Sequence, residues 1–351
     1  MHKKINIHSK IKKYEVFFDK NFEKTINKSY AENDIILIDK TVFKYISNKK
    51  LFKKKKIIKI SVSENTKDYN YISKIINALL KINFTKKNKL IVIGGGITQD
   101  VSSFISHILF RGVEWIYIPT TLLSQADSCI GSKISINFEN YKNLIGNYNP
   151  PNKVYINTNF LKTLDKRDIL SGVGEMLHYF IISSKNDFIY FKKNFDSLIN
   201  FNSNTIEAFI NKCLKIKKKY IEKDEFEKNI RIFLNYGHTI GHAIESYFNY
   251  KIPHGISVCH GISFVNYVSY KRKILSKKNF DEIKKITDVI TNDYKINKIN
   301  SEKLYKIILK DKKNLNGIIR LILIQNYGKP LIKKIYKKDT LINYLNDYFN
   351  N

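Results

Sequence analysis

Glu175, His238, His242 and His254 are the residues whose types and spacing could hold a catalytic metal. His238-Thr239-Ile240-Gly241-His242 lies in a helical pattern, so its two imidazoles sit four residues apart on one face. With a carboxylate at 175 and a third histidine at 254, the donors for an open zinc site are present. Spacing alone makes both helix histidines ligands. It leaves equally open that two of these histidines are ordinary hydrogen-bonded residues.

A second constellation surrounds Gly94-Gly95-Gly96, which follows the apolar run Lys89–Ile93 and leads through Ile97-Thr98-Gln99-Asp100 into a helical pattern. Glycines at that point let backbone N–H groups approach a pyrophosphate at a helix N-terminus. Gln99 stands where the third glycine of the usual dinucleotide fingerprint would be, so the run is either a nucleotide loop or a tight structural turn. A third group could meet phosphate or carboxylate: Arg111, Lys133, Lys142, Asn143, Lys217, Arg231 and Asn235. In a lysine-rich chain a single lysine is ordinarily a solvated surface residue.

These residues need a scaffold, and 351 residues with 43% hydrophobic content supply about two domains. Strand-length apolar runs at Asp34–Asp39, Lys56–Val62, Lys89–Ile93 and Trp115–Ile118 alternate with helical stretches such as Tyr69–Lys86. That alternation predicts βαβ units and a buried parallel sheet. After Pro150-Pro151 the patterns become helical, at Lys166–Ser183, Asn204–Glu222, Gly237–Phe248, Ser257–Lys273 and Asp281–Thr291. The span Ile318–Ile335 reads as a late hairpin around Asn326-Tyr327-Gly328-Lys329-Pro330. The expected organisation is an N-terminal α/β domain over residues 1–160 and a mostly helical domain over 161–351, with the cleft between them as the default ligand site.

The formal charge of +31 invites a nucleic-acid reading. Against it, Arg111, Arg167, Arg231, Arg272 and Arg320 are the chain's arginines, and the remaining positive charge is lysine spread from end to end. A dedicated phosphate-backbone binder would use more of the bidentate arginine fork. The Lys clusters at 53–56 and 215–219 read as solvated faces. Neither a membrane span nor a secretory signal is expected. Cys129, Cys213 and Cys259, widely spaced and odd in number, read as reduced thiols of a cytoplasmic protein.

Several motifs together resemble the 3-dehydroquinate synthases over roughly residues 30–335. They are Gly94–Asp100 (GGGITQD), Arg111-Gly112, Pro119–Leu123 (PTTLL), Asp127, Gly131-Ser132-Lys133, Asn137, Lys142–Gly146, Glu175, Asp224-Glu225, Asn235–Glu245 (NYGHTIGHAIE), His254-Gly255 and Asp311-Lys312-Lys313. The resemblance implies a Rossmann-like NAD-binding domain, a helical metal-binding domain and a homodimer. It makes Glu175, His238 and His254 the ligands of Zn2+ or Co2+, and turns His242 into a phosphate contact. It implies NAD contacts from Asp39, Glu64, Lys67, Gly95, Gly96, Asp100, Thr120, Thr121, Asp127, Lys142 and Thr163. Lys133, Asn143, Asn235 and His242 would surround the substrate phosphate, with Arg111 reaching across the dimer, and Lys217 and Arg231 would hold the substrate carboxylate. One of Lys312 and Lys313 would close over the substrate. The implied reaction oxidises a hydroxyl, eliminates phosphate, returns the hydride and closes a ring by an aldol step, so that NAD is regenerated.

Three positions depart from the family pattern. His178 stands where Lys is usual near the substrate hydroxyls, Ser132 replaces the second glycine of the usual GGK, and Ile256 replaces the Glu that usually follows His-Gly. The alternatives are a sibling cyclase acting on a substrate without a carboxylate, such as sedoheptulose 7-phosphate, a metal-dependent alcohol dehydrogenase, and a basic binding protein on an inactive enzyme scaffold. The joint presence of Lys217 and Arg231 favours a carboxylate-bearing substrate, since a buried cationic pair without an anion is costly.

Overall fold

The computed structural model describes residues 4–139, 141–310, 318–335 and 337–350. The chain divides into two units: Met1–Leu164 with Lys217–Glu225, and Asp165–Ile216 with Phe226–Asn351. The division after residue 164 lies close to the boundary expected at 160, but the segment Lys217–Glu225 returns to the first unit, which no composition shift announces.

In the first unit, seven strands form one sheet: β1 Lys4–His8, β2 Lys13–Phe18, β3 Ile35–Asp39, β4 Lys56–Ile60, β5 Leu90–Gly94, β6 Trp115–Pro119 and, after the separate hairpin of β7 Lys133–Phe138 and β8 Tyr141–Tyr148, β9 Lys153–Ile156. The order is β1-β2-β9-β6-β5-β3-β4; β1 and β2 are antiparallel and all other pairs are parallel. Helices α1 Phe22–Ser29, α2 Lys40–Tyr45, α3 Tyr69–Lys81 and α4 Gly96–Ile108 connect the strands. Every residue of β3, β5 and β6 is buried, which is why these strands read as unbroken apolar runs. Helix α3 stops at Lys81, short of the expected Lys86, because the chain turns through Asn83 in the left-handed region (φ 58°). The strand order reverses between β3 and β5, so Asp39 and the glycine run emerge side by side at the carboxyl ends of the strands, where such sheets take ligands.

The second unit holds α5 Lys166–Ser183, α6 Lys185–Lys193, α7 Phe195–Ile199, most of α8 Ser203–Lys223, α9 His238–Tyr247, α10 His254–Lys271, α11 Lys277–Thr291, α12 Ser301–Leu309, the hairpin β10 Ile319–Asn326 with β11 Lys329–Ile335, and α13 Lys338–Phe349. The late hairpin forms as expected, though Pro330 lies in β11 opposite Ile324 instead of in the turn. Helix α10 begins three residues earlier than its apolar pattern indicates, because Pro253 caps it and makes His254 the first helical residue. Almost every residue from Gly255 to Ser269 is buried, so α10 is the core helix of this unit. Among the described residues no helix is long and apolar enough to cross a membrane.

His260 sits in the middle of α10 with its Nε2 2.9 Å from the carbonyl of Tyr294, and burial pulls its pKa down to about 4 from 6.5. The folded state therefore refuses a proton that the unfolded chain accepts. This contribution to stability is whole above pH 6.5 and is lost as pH falls from 6.5 toward 4. It amounts to about 3 kcal/mol. Urea titrations across that range should show the fall in the wild type and a clearly shallower one in His260→Gln; parallel curves would remove His260 as its source.

Candidate functional site

The three metal-ligand candidates start from three helices of the second unit. Glu175 is central in α5, His238 opens α9 and His254 opens α10. Each stands beside a glycine, and those glycines are where the helix backbones touch. A Cβ on Gly255 would lie 1.7 Å from the Ser171 carbonyl oxygen, one on Gly174 2.3 Å from the Gly255 oxygen, and one on Gly261 2.0 Å from the Gly237 oxygen. Backbone contact at this range draws the donors together: Glu175 Oε1 is 3.4 Å from His238 Nε2, and Glu175 Oε2 is 3.3 Å from His254 Nε2. Ligand atoms about 2.0–2.1 Å from a tetrahedral ion lie roughly 3.3 Å from one another, so the set already has zinc-site dimensions.

The far side of each imidazole is occupied. His238 Nδ1 lies 3.2 Å from the Tyr236 carbonyl and His254 Nδ1 lies 3.0 Å from Glu245 Oε2. Burial works to raise the Glu175 carboxyl, and the imidazoles of His238 and His178 outweigh it and hold the group well below the usual carboxylate range. Burial likewise works to lower His254, while Glu245 and Glu175 push it well above the ordinary histidine value. Two buried carboxylates thus draw positive charge into one pocket, and a divalent ion meets that demand while leaving the histidines neutral. The residues present fit such an ion.

His242 lies one turn beyond His238, its ring centroid 5.5 Å from the rings of both His238 and His254. His242, Glu245 and His254 also have donor atoms mutually within 4.8 Å, a grouping that, unlike the one spacing alone suggests, leaves out His238. Only the set with Glu175 and His238 includes the buried carboxylate that His254 Nε2 faces at 3.3 Å. Asn235 donates from its side chain to Glu227 Oε1 and to the Ile232 carbonyl at 3.1 Å, and Arg231 nearby in sequence is 4% exposed. His178 is buried with Nδ1 3.5 Å from Glu175 Oε1 and its ring edge-on to His238. Ile256 is fully buried, so this departure from the family pattern fills core. Glu245 and Glu227 were not singled out from the sequence. The detectable signal for Glu245 was helical period: seven residues after His238, it returns to the same face.

In the first unit the glycine run is a cradle. A Cβ on Gly94 would lie 2.3 Å from Thr98 Oγ1 and one on Gly95 2.9 Å from Thr121 Cγ2, whereas at Gly96 the nearest atom is 3.9 Å away. Gly95 caps α4 with no side chain on the helix N–H groups, and Thr120 Oγ1 is buried without a hydrogen-bond partner among the described residues. These features fit a dinucleotide pyrophosphate. Asp39 accepts the Thr41 N–H at 2.6 Å at the end of β3. Thr121 is bonded to Ser124, and Thr163 is exposed, bonded to the Phe160 carbonyl.

A polar network joins several of the other expected residues. Lys67 pairs with Asp100 at 2.6 Å and donates to Asn143, while Lys142 lies 3.4 Å from Glu64, which accepts from Asn137. Lys217 donates to both the carbonyl (2.8 Å) and the carboxylate (2.6 Å) of Asp127, so in this geometry it is held by an acidic partner of its own unit. Ser132, at φ 59°, bonds the buried Glu225 at 2.7 Å, and Lys133 after it is exposed. Arg111 is also exposed, in a run of positive φ with Phe110 and Gly112. Lys312 and Lys313 lie outside the described residues.

Two substitutions separate scaffold from loop. Gly255→Ala should lower stability by about 3 kcal/mol or more, because backbone cannot yield to the new methyl, and should strip bound metal, as read by urea titration and elemental analysis. Gly96→Ala should keep stability, since its Cβ would make only an ordinary contact with Ser128 Oγ at 3.9 Å at the start of a helix, and should instead raise the Kd for NAD.

The family models for the 3-dehydroquinate synthase N-terminal and C-terminal regions match residues 57–171 and 172–314. A 3-dehydroquinate synthase of Pelagibacter ubique is 36% identical, covering 96% of each chain, and that of Clostridium acetobutylicum is 33% identical over 93% of this chain and 95% of its own. Among solved structures, 2-deoxy-scyllo-inosose synthase in complex with carbaglucose-6-phosphate, NAD+ and Co2+ superimposes with a TM-score of 0.88 at 21% identity, covering 98% of this chain and 99% of that one. The 2-epi-5-epi-valiolone synthase of Streptomyces hygroscopicus with NAD+ and Zn2+ gives 0.86 at 18% identity over 95% of each chain, so the fold is that of these cyclases. From its sequence matches over nearly the whole length, the chain belongs to the 3-dehydroquinate synthase family.

Proposed function

We propose that this enzyme converts 3-deoxy-arabino-heptulosonate 7-phosphate to 3-dehydroquinate and phosphate, a carbon–oxygen lyase reaction of the shikimate pathway with NAD and a divalent metal as cofactors. The observation that carries it is the Glu175–His238–His254 cluster, with the inner nitrogens of both histidines turned to one buried carboxylate in a chain of this family. When bound, the ion supplies Lewis acidity toward a substrate hydroxyl and NAD a reversible hydride acceptor.

The chain's residues would do the rest by holding and orienting. Glu175, His238 and His254 hold the ion. Gly95, Gly96 and the open N-terminus of α4 hold the pyrophosphate, with Asp39, Glu64, Lys67, Asp100, Thr120, Thr121, Asp127, Lys142 and Thr163 around the rest of the dinucleotide. Lys133, Asn143, Asn235 and His242 fix the substrate phosphate so that its own oxygen can take the proton beside the new carbonyl, a matter of positioning. Lys217 and Arg231 receive the carboxylate, Asp127 fixing the Lys217 ammonium until substrate arrives. One of Lys312 and Lys313 would close over the substrate. The proposal includes a homodimer, in which Arg111 reaches the neighbouring subunit's substrate, and a cytoplasmic setting for the three buried thiols.

Arg231 decides between this substrate and a carboxylate-free heptulose phosphate. Its contact with a carboxylate in a partly desolvated site is worth on the order of 1.5–3 kcal/mol. Arg231→Ala should therefore lower kcat/KM for the carboxylated substrate at least about tenfold. Arg231→Lys should recover part of the loss, with metal content unchanged. NADH should not accumulate in proportion to product; stoichiometric NADH release would point to an alcohol dehydrogenase. Faster turnover of sedoheptulose 7-phosphate than of the acid would give the protein to the sibling cyclases.

A further inference from the structure

We infer that Glu245 is a positioning residue for the metal, its carboxylate taking the Nδ1–H of His254 and so fixing the tautomer in which Nε2 is free to ligate. The inference rests on the proposal that Glu175, His238 and His254 hold the ion. Glu245 is 8% exposed, and a carboxylate that far from water stays charged only against a donor or a cation. The structure gives it His254 Nδ1 at 3.0 Å, on the far side of the ring from Glu175. Helix α9 explains the placement: seven residues after His238, two turns on, Glu245 shares the face that α9 turns toward α10.

His238 has the matching arrangement with a neutral acceptor, the Tyr236 carbonyl at 3.2 Å. Both imidazoles thus have the outer nitrogen on an acceptor and the inner one on Glu175. The difference is charge: a carboxylate fixes the ring as a carbonyl does and also makes the ligating nitrogen a stronger base. The competing arrangement makes Glu245 itself a ligand with His242 and His254. That set abandons the most deeply buried carboxylate of the cluster, which is 2% exposed, and the contact Glu245 makes with His254 is to Nδ1, not to the Nε2 that faces Glu175.

The test is metal affinity, not turnover. Full-length wild type, Glu245→Gln and Glu245→Ala are stripped of metal and titrated with Zn2+ and with Co2+ against a chromophoric chelator. Loss of the outer carboxylate should raise the metal Kd by about 10- to 100-fold in Glu245→Ala, with the isosteric Glu245→Gln falling between it and wild type. At saturation the Co2+ visible band of Glu245→Gln should keep its wild-type shape, because the ligands themselves are unchanged. Should Glu245→Ala fail to fold, Glu245→Gln decides alone. Wild-type affinity in the Gln variant and in any folded Ala variant overturns the inference. So does an altered Co2+ band together with undiminished binding in Glu175→Gln, which would make Glu245 a ligand. Absence of stoichiometric binding by wild type itself is the distinguishable case in which the metal assignment fails and takes this inference with it.

Discussion

The metal cluster depends on backbone touching backbone. Helix α10 meets α5 through Gly174 and Gly255 and meets α9 through Gly237 and Gly261, at separations that no side chain could share. Because Glu175, His238 and His254 are the immediate sequence neighbours of three of these glycines, their Cα positions are set by main-chain contact and not by the reach of flexible side chains. Preorganisation of this kind leaves little entropy to lose when an ion enters. It also explains why α10 is so uniformly buried: a helix in main-chain contact with two others, and packed on α11 as well, has little surface left for water.

The same closeness creates an electrostatic problem that the cluster must solve. Glu175 and Glu245 are both buried within a few ångströms of His254, and together they drive its imidazole toward the protonated form. Each desolvated charge costs several kcal/mol unless a partner of opposite sign sits against it. A divalent cation between Glu175 and the inner nitrogens replaces shared protons with a fixed charge and leaves Glu245 its hydrogen bond. Metal loading and neutral histidines are therefore one coupled state, and acidification should compete with the ion.

What the sequence discloses follows the physics of burial. Strands β3, β5 and β6 are legible because both faces are covered and each reads as an apolar run, whereas β1 (Lys4, Asn6, His8) and the start of β2 (Lys13, Glu15) alternate polar with apolar residues and look like surface. The β7–β8 hairpin escaped for a similar reason, with Asn, Ser and Lys interleaved among its isoleucines. The donors of the metal cluster were legible as residue types. Choosing His254 and His238 over His242 was not, since spacing ranks His238 and His242 equally; it came from the family resemblance. What separates them in space is where Glu175 lies, a consequence of packing by α5 that no local pattern contains. Glu245 was within reach of helical periodicity, but a glutamate near the end of a helix ordinarily faces solvent.

Lysine poses the sharpest version of that limit. In a chain whose positive charge is nearly all lysine, residue type carries almost no information about function, and Lys133 remains an exposed residue distinguished only by its motif. Burial restores the distinction. Among the described residues Lys67 and Lys217 are the buried lysines, 6% and 7% exposed, and each has a carboxylate at 2.6 Å, Asp100 and Asp127 respectively. A coding bias that scatters lysine over a surface costs the fold little, but placing an ammonium inside costs several kcal/mol unless a partner is built for it. Two such partnerships at the ligand-binding end of the first unit's sheet are therefore not compositional accident. Each is a cation already held in place by its own carboxylate, Lys67 among the residues proposed to meet the dinucleotide and Lys217 among those proposed to meet the substrate carboxylate.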